Sequence, residues 1–340
     1  MPVKPSPKQA TNLGDIARAL GVSVATVSNA LSGKGRVSAS LVPRIREMAD
    51  AMGYVPSQAA RALRTGKSGV LGLVLPDIAS PLFPQIAQAI ERAANSAGYG
   101  ILIADSRGDV ALQTEAINRL IERGVDGLII VPRRGTRIAA VDIPFAVIDS
   151  PSTPGNTVSA DHWQGGALVG VHLAALGHRK VTLIGNNPAS NVQNDRIGGM
   201  RSGLTGKAEI DVLWIEQHDA EHGVGALLGL ADKVSLGTTA FATVSDVHAL
   251  RAMTELHRAN IRVPEDVSVT GFDDLFWGAI ITPTLTTVRM DMPRIAEIAI
   301  ASITEKIDDK RDGDAEDNAR VPMSLMIRQS CGPANEAASR

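Results

Sequence analysis

The sequence predicts a small all-α helix-turn-helix head joined to a bilobed α/β body built from two doubly wound parallel sheets. Three observations predict it. Near the N-terminus, short apolar patterns of helical period are interrupted by a glycine turn. From Val70 onward, apolar runs alternate with amphipathic helical patterns, the mark of a parallel sheet with crossover helices. That alternation occurs twice, with the second series starting near His162. At 340 residues the chain is too long for one ordinary core, so two or three domains are expected.

In the head, Leu13, Ile16, Ala17 and Leu20 repeat at helical spacing and predict a first helix over 14–20. Gly21 breaks the pattern. Ser23 suits the cap of a second helix over 23–31, whose apolar face reads Val24, Val27 and Leu31. Two short helices around such a turn form the motif whose second helix enters a major groove. Ser38 is the expected cap of a third helix over 39–52, with Ile45, Met48, Ala49 and Met52 inward and Gly53 at its end. Tyr54-Val55-Pro56 reads as an extended connector, because proline restrains the residue before it. The Ala-rich stretch 57–63 is expected to be helical, and Arg64 to Gly69 a linker.

In the body, strands are expected at the runs beginning Gly69, Tyr99, Gly127 and Pro144, with helices over 81–97 and 109–123 between them. The second series predicts a helix over 163–176, a strand from Lys180 and a helix over 194–204. A strand over 212–215, a helix over 223–231, a strand from Ala240, a helix over 247–260 and a strand ending at Asp274 follow. The charged segment 308–318 reads as a solvated excursion before a late strand over 321–328. Several strands end in polar pairs: Asp105-Ser106, Asp149-Ser150, Ser245-Asp246 and Asp273-Asp274. Ligands of open α/β sheets bind beyond the carboxyl ends of the strands, so these pairs mark a candidate small-molecule site.

Charge separates the two parts. The net charge is -2, yet residues 1–66 carry nine Lys or Arg against three acids, a balance of +6, which leaves -8 on the remainder. A basic head on an acidic body points to a polyanion partner for the head alone. No run of about 18 apolar residues predicts a membrane span. The first ten residues hold lysines and prolines but no apolar leader, and the single Cys331 allows no internal disulfide, so a cytoplasmic location is expected.

The run L-G-D-I-A-R-A-L-G-V-S-V-A-T-V-S-N-A-L, followed by G-Y-V-P-S and A-R-A-L, resembles the head of the LacI/GalR family of bacterial repressors. The body agrees in order at G-L-V-L-P-D-I-A-S-P-L-F, E-R-G-V-D-G-L-I-I, H-L-A-A-L-G-H-R-K-V-T-L-I-G, R-V-P-E-D-V-S-V-T-G-F-D-D and P-T-L-T-T-V-R. The resemblance covers essentially residues 12–330. It implies an arm over 1–10, a helix-turn-helix domain over 11–56 and a hinge helix with linker over 57–68. It further implies an effector-binding and dimerisation domain over 69–335, of the periplasmic-binding-protein-like type I. Its lobes would span about 69–160 and 161–290, with the chain crossing back near 289–335. The implied partners are a double-stranded DNA operator, a small effector such as a sugar or sugar derivative, and a second copy of the chain. A homodimer is favoured because no leucine heptads end the sequence, with a tetramer left open.

The resemblance places Ser23, Val24, Ala25, Thr26, Ser28 and Asn29 in or beside the major groove. Val24 and Ala25 can meet a thymine methyl, and Asn29 can pair with adenine through two hydrogen bonds. Ser23 can also simply cap its helix, and Val24 can pack within the head. Ala59, Ala60, Arg61 and Leu63 match the hinge helix, where Leu63 would wedge into a minor-groove step and Arg61 and Arg64 would lie near phosphates. In the body, Ser80, Phe83, Asp149, Ser150, Asp161, Arg196, Asp246 and Asp273 match cleft-facing positions, and His218 falls near a position that is often aromatic. Carboxylates accept from sugar diols, Arg donates to hydroxyl or ring oxygens, and Phe83 could cover an apolar sugar face. Each cleft residue can equally serve as strand-end or helix-cap structure.

No cofactor is expected, since no dinucleotide or P-loop glycine motif follows a strand and no nucleophile elbow occurs. His218 and His222 share a helical spacing that a metal can use, but no third ligand accompanies them in what reads as a loop. Arg133-Arg134 could reach an anionic effector or be a solvated pair. The reading is therefore a DNA-binding regulator and not an enzyme: a repressor of carbohydrate uptake or catabolism genes, released by a sugar. A solute receptor without a DNA role, or a regulator whose ligand is a corepressor, stands as the alternative.

Overall fold

The computed structural model describes residues 11–33, 35–54, 66–132, 141–153, 155–308 and 318–335. The expected arm, the hinge residues Ala59, Ala60, Arg61 and Leu63, the pair Arg133-Arg134 and the charged excursion beyond Asp308 lie outside the described residues. The chain divides into two compact units, Met1–Ser68 and Gly69–Arg340.

The first unit contains α1 (Leu13–Leu20), α2 (Val24–Ser32) and α3 (Leu41–Ala51). Asn12 caps α1: its Oδ1 accepts the Gly14 and Asp15 amides at 2.8 and 3.2 Å, and the Asp15 carboxylate accepts the Asn12 amide in return. Gly21, at φ +64°, ends α1 in the left-handed region and turns the chain into α2. The core is Ile16, Ala17, Val27, Ala30, Ile45 and Ala49, with Leu13, Leu20, Leu31, Met48 and Met52 packed around it. Two expectations change here. Val24 is exposed, and Ala30 takes the inward place, because Val27 and Ala30 stand three apart on the face toward α1. The residue preceding α3 is Ser40, not Ser38, whose hydroxyl is bonded to Ser40 Oγ instead.

The second unit has the predicted class, two four-stranded parallel sheets flanked by helices. The first sheet runs in the order β2-β1-β3-β4, from β1 (Val70–Leu75), β2 (Gly100–Asp105), β3 (Gly127–Ile130) and β4 (Phe145–Val147). Its crossover helices are α4 (Leu82–Ser96) and α5 (Val110–Glu122). Strand β5 (Val158–Ala160) leads to α6 (His162–Ala175) and the second sheet. That sheet, in the order β7-β6-β8-β9, is built from β6 (Lys180–Gly185), β7 (Glu209–Trp214), β8 (Ala240–Thr243) and β9 (Ser268–Thr270). Its helices are α7 (Asn191–Leu204), α8 (Ile215–His222), α9 (Leu230–Ser235) and α10 (Asp246–Arg258). After β10 (Thr287–Met290), α11 (Met292–Ile307) returns the chain to pack on α4. Strands β11 (Ala319–Val321) and β12 (Met323–Met326) then pair with β5 and β10. Leu71, Leu73, Leu128 and Ile129 are wholly buried, as are Leu183, Phe241 and Val269. Each such side chain contributes about 1.5–3 kcal/mol of transfer free energy.

Strands β5 and β10 and helix α11 were not expected, and three expected body elements differ. The helix expected over 223–231 forms only from Leu230, because Gly223, Gly225 and Gly229 all take positive φ; α8 occupies 215–222, where a loop was expected. The loop after α8 is pinned by α10: Glu255 accepts the Leu228 and Leu230 amides, and Arg251 donates to Ala226 O. The late strand is two short strands serving different partners, β11 and β12. The last strand of the second sheet stops at Thr270, since Asp273 and Asp274 sit at φ 112° and 50° and cannot continue an extended ladder.

Helices α6 and α7 meet backbone to backbone. A Cβ on Gly199 would collide with the Trp163 carbonyl and stand 2.8 Å from the Ala167 amide nitrogen. Gly166 and Gly170 face the α7 backbone in the same way. This close approach carries the N-terminal turns of both helices, and therefore His162 and Arg196, to the ends of the strands.

Candidate functional site

In the head, the candidate surface is the outward side of α2. Ser23 is its N-cap, with Oγ accepting the Thr26 amide at 3.1 Å and meeting Thr26 Oγ1 at 2.8 Å. Ser23, Val24 and Ala25 are exposed, while Thr26, Ser28 and Asn29 are half-buried. Asn29 lies over Gly35: a Cβ there would stand 3.0 Å from Asn29 Nδ2. The fully open end of α2 is thus its first turn, which presents one hydroxyl and two small apolar groups.

In the body, a cavity of about 670 Å³ lies at the carboxyl ends of both sheets. Asp77 and Ser80 follow β1, Arg107 follows β2, Val131 and Pro132 follow β3, and Asp149 follows β4. From the other lobe come Asn186 after β6, Glu216 after β7, Ser245 after β8 and Asp273 after β9. Every strand of the two four-stranded sheets therefore delivers a residue, which is the crevice that open α/β sheets create. A larger groove of about 1120 Å³ along α4 and α11 shares Asp273 with it, but holds no other candidate residue.

Of the nine cleft residues expected, Ser80, Phe83, Asp149, Arg196 and Asp273 line the cavity. Arg196 Nη1 donates to Asp273 Oδ1 at 2.9 Å and to Val244 O at 2.6 Å, Nε donates to His162 Nδ1 at 3.4 Å, and the guanidinium lies 4.1 Å over the Phe272 ring. Burial pushes the Asp273 carboxyl up to about 6, outweighing the opposite pull of Arg196. Burial also raises Asp149, against the hydrogen bond it accepts from Thr153.

The other four lie off the cavity wall, and each has a structural occupation. Ser150 is buried and its hydroxyl donates to Asp195 at 2.8 Å. Asp161 caps α6, accepting the Gln164 amide at 2.9 Å. Asp246 begins α10 fully buried, with one oxygen accepting the Leu275 amide and the other the Thr287 hydroxyl. Burial and the Asp273 charge push it up to about 7. His218 belongs to α8, where Nε2 meets Leu227 O at 2.8 Å and the ring stacks on His222 at 4.3 Å. Among the described residues no group of three or more His, Cys, Asp or Glu is arranged to hold a metal ion.

Asp77, Arg107, Asn186 and Glu216 on the wall were not among the expected residues, and neither were two histidines, His162 and His248. Both stand in the first turn of a helix that follows a strand, one and three positions beyond the cap. Extending the search from each strand end into the next helical turn would have found them. Gln193 also escaped: its Oε1 accepts the Asn186 and Asn187 amides and so braces the loop after β6.

Comparison with known proteins is consistent over most of the chain. Residues 12–57 match the family described as bacterial regulatory proteins, lacI family, and residues 171–331 match a periplasmic binding protein-like domain. The HTH-type transcriptional regulator MalR of Streptomyces coelicolor is 32% identical over 87% of this chain and 90% of its own length. The ribose operon repressor of Haemophilus influenzae is 28% identical over 86% of this chain and 91% of its own. In fold, the lac repressor dimer bound to operator and the anti-inducer ONPF superposes with a TM-score of 0.79 at 24% identity, covering 95% of this chain and 100% of that one.

Proposed function

The chain belongs to the LacI family of bacterial regulators, a DNA-binding transcriptional regulator and not an enzyme, and on that premise we propose that it is a sugar-responsive repressor. It acts as a dimer on a pseudo-palindromic operator near genes for carbohydrate uptake or catabolism. The first turn of α2 reads each half-site through Ser23, Val24 and Ala25, with Thr26, Ser28 and Asn29 beside it. The hinge residues Ala59, Ala60, Arg61 and Leu63 grip the minor groove between half-sites. A sugar enters the body cavity, changes the angle between the lobes and releases the hinge.

The observation that carries this reading is the cavity itself, because every strand of both sheets supplies part of its wall. A ligand touching both lobes has different contacts when the lobes rotate, which is the differential affinity that allosteric coupling requires. The relative named for a ribose operon supports the sugar class. Two apolar groups at the tip of α2 leave little hydrogen bonding to base edges, so much of the selectivity comes from half-site spacing and DNA deformation.

A footprint of the purified protein on the DNA upstream of its own and neighbouring genes tests the reading. Protection of a palindrome that is lost when a sugar is added is expected. No protected palindrome overturns the repressor, and protection strengthened by the sugar makes the ligand a corepressor.

A further inference from the structure

We propose that His162 and His248 determine effector specificity: each presents a neutral imidazole Nε2–H donor to the cavity, which selects an uncharged, oxygen-rich ligand and rejects its phosphorylated form. This rests on the reading above that the cavity holds the effector.

The tautomers follow from the partners of the other ring nitrogen. A guanidinium Nε always carries its proton, so the contact from Arg196 Nε to His162 Nδ1 at 3.4 Å makes that nitrogen an acceptor. The ring proton then resides on Nε2. Ser245 Oγ accepts the His248 amide as the cap of α10 and lies 2.8 Å from His248 Nδ1. With the Ser245 hydroxyl proton directed to Nδ1, the second ring also carries its proton on Nε2. Among the described residues neither Nε2 has a hydrogen-bonded partner in the protein, and both rings line the cavity.

Both rings are held neutral. Burial and the adjoining Arg196 charge lower His162 well below 6.5. Burial, with Arg251 and Arg196, lowers His248 to about 4. Once a ligand covers such an N–H, leaving it without an acceptor is costly, so a ligand oxygen that meets it is strongly preferred to a group that cannot.

The charges of the described wall residues weigh against an anion. Four carboxylates line it, Asp77, Asp149, Glu216 and Asp273, against two arginines among the described residues, Arg107 and Arg196. Arg196 is spent on Asp273 and Val244 O, and Arg107 is an exposed residue at the mouth. Against the described wall, a phosphate dianion would exchange its hydration for net negative charge. A neutral sugar loses nothing to that field, and its hydroxyls can donate to Asp149 while other oxygens accept from the imidazoles.

The test uses the full chain and titration calorimetry with ribose, glucose and maltose beside ribose 5-phosphate, glucose 6-phosphate and maltose 6-phosphate. A neutral sugar is expected to bind and its phosphate to bind at least 100-fold more weakly. His162→Leu and His248→Leu should each weaken binding at least 10-fold. His162→Gln, whose amide nitrogen can stand where Nε2 stood, should recover most of the loss at unchanged ligand-free melting temperature. Nitrogen NMR of the ligand-free, 15N-histidine protein should show both rings with Nε2–H and no imidazolium at pH 6.

A phosphorylated sugar that binds as well as or better than its neutral form overturns the inference and leaves the effector reading in place. So does a neutral sugar whose affinity ignores both leucine variants. An Nδ1–H tautomer or an imidazolium in either ring at pH 6 overturns it whatever binds. If none of the sugars binds, the sugar-effector reading falls and takes this inference with it.

Discussion

Arg196 and Asp273 form an ion pair, Nη1 to Oδ1 at 2.9 Å, with side chains only 6% and 4% exposed. The pair joins α7 to the turn after β9 and lies on the wall of the cavity. Both charges have lost most of their hydration, so the pair adds little net stability, yet removing one partner strands the other. Asp273→Ala leaves the Arg196 cation with Val244 O, the His162 ring nitrogen, the Met290 sulfur and the Phe272 face, none of them charged. We expect a loss of about 3–5 kcal/mol in urea unfolding of the body, together with loss of effector binding. Full stability in this variant would show that the pair is not shielded from water.

The contact between α6 and α7 tolerates no side chain at Gly199, where a Cβ would run into the Trp163 carbonyl and stand 2.8 Å from the Ala167 amide nitrogen. Backbone cannot yield as a flexible side chain does. Gly199→Ala is therefore expected to destabilise the body by about 2–3 kcal/mol, whereas an alanine at the neighbouring exposed Ser202 should cost under about 0.5 kcal/mol. Equal unfolding midpoints for the two variants would contradict the close approach.

Placement within the cavity gives a prediction that separates nine superficially similar candidates. Phe83→Ala and Asp149→Asn alter the cavity wall and should weaken the effector at least about tenfold, roughly 1.4 kcal/mol. His218→Ala lies off the wall, so calorimetry should return an affinity within about twofold of the parent. A large loss at His218 with none at Phe83 would place the ligand elsewhere.

Val24 is 49% exposed on the first turn of α2. Val24→Asp puts a carboxylate where a DNA backbone or base edge is to be met, without touching the head core. Gel-shift affinity for the operator should fall by at least about 100-fold, near 2.7 kcal/mol, while helical content and melting of the head stay unchanged. Retained affinity would exclude this turn from the interface.

His178 links Thr239 and Ser268 inside the second lobe, and burial lowers it from 6.5 to about 4. The folded protein thus binds its proton less readily than the unfolded chain. The stability from this group is present above pH 6.5 and is lost as pH falls toward 4. Asp246 acts in the opposite sense: raised to about 7, it contributes stability at low pH that is lost as pH rises through that value. Comparing the parent with His178→Asn cancels the Asp246 effect. The variant should be less stable at pH 7.5, and the gap should close by about 2–3 kcal/mol at pH 4.5. A gap independent of pH would mean that the His178 ring titrates alike in both states.

The fold class was legible because its signals are local. Helical spacing at Leu13, Ile16, Ala17 and Leu20, the break at Gly21 and the apolar runs from Val70, Gly127 and Lys180 each report their element without reference to distant residues. Where local signals competed, the reading went astray. The stretch 223–231 looks helical by its leucines, but three glycines at positive φ delay the helix to Leu230, and Glu255 and Arg251 of a later helix hold the loop before it in place.

By itself, then, the sequence determined the head, the two parallel sheets and the polar groups at the strand ends, since these depend on periodicity and turn chemistry over a few residues. Tertiary structure alone decided which strand-end groups face the cavity. Asp246 and Asp273 follow adjacent strands and read alike, yet the amide of Leu275 and the hydroxyl of Thr287 occupy the first, while Arg196 holds the second on the wall. His162 and Arg196 are 34 positions apart, and only the backbone contact of α6 with α7 brings them together. Such partners are separated by tens of residues in the chain, so no window of local sequence contains the physical reason for their roles.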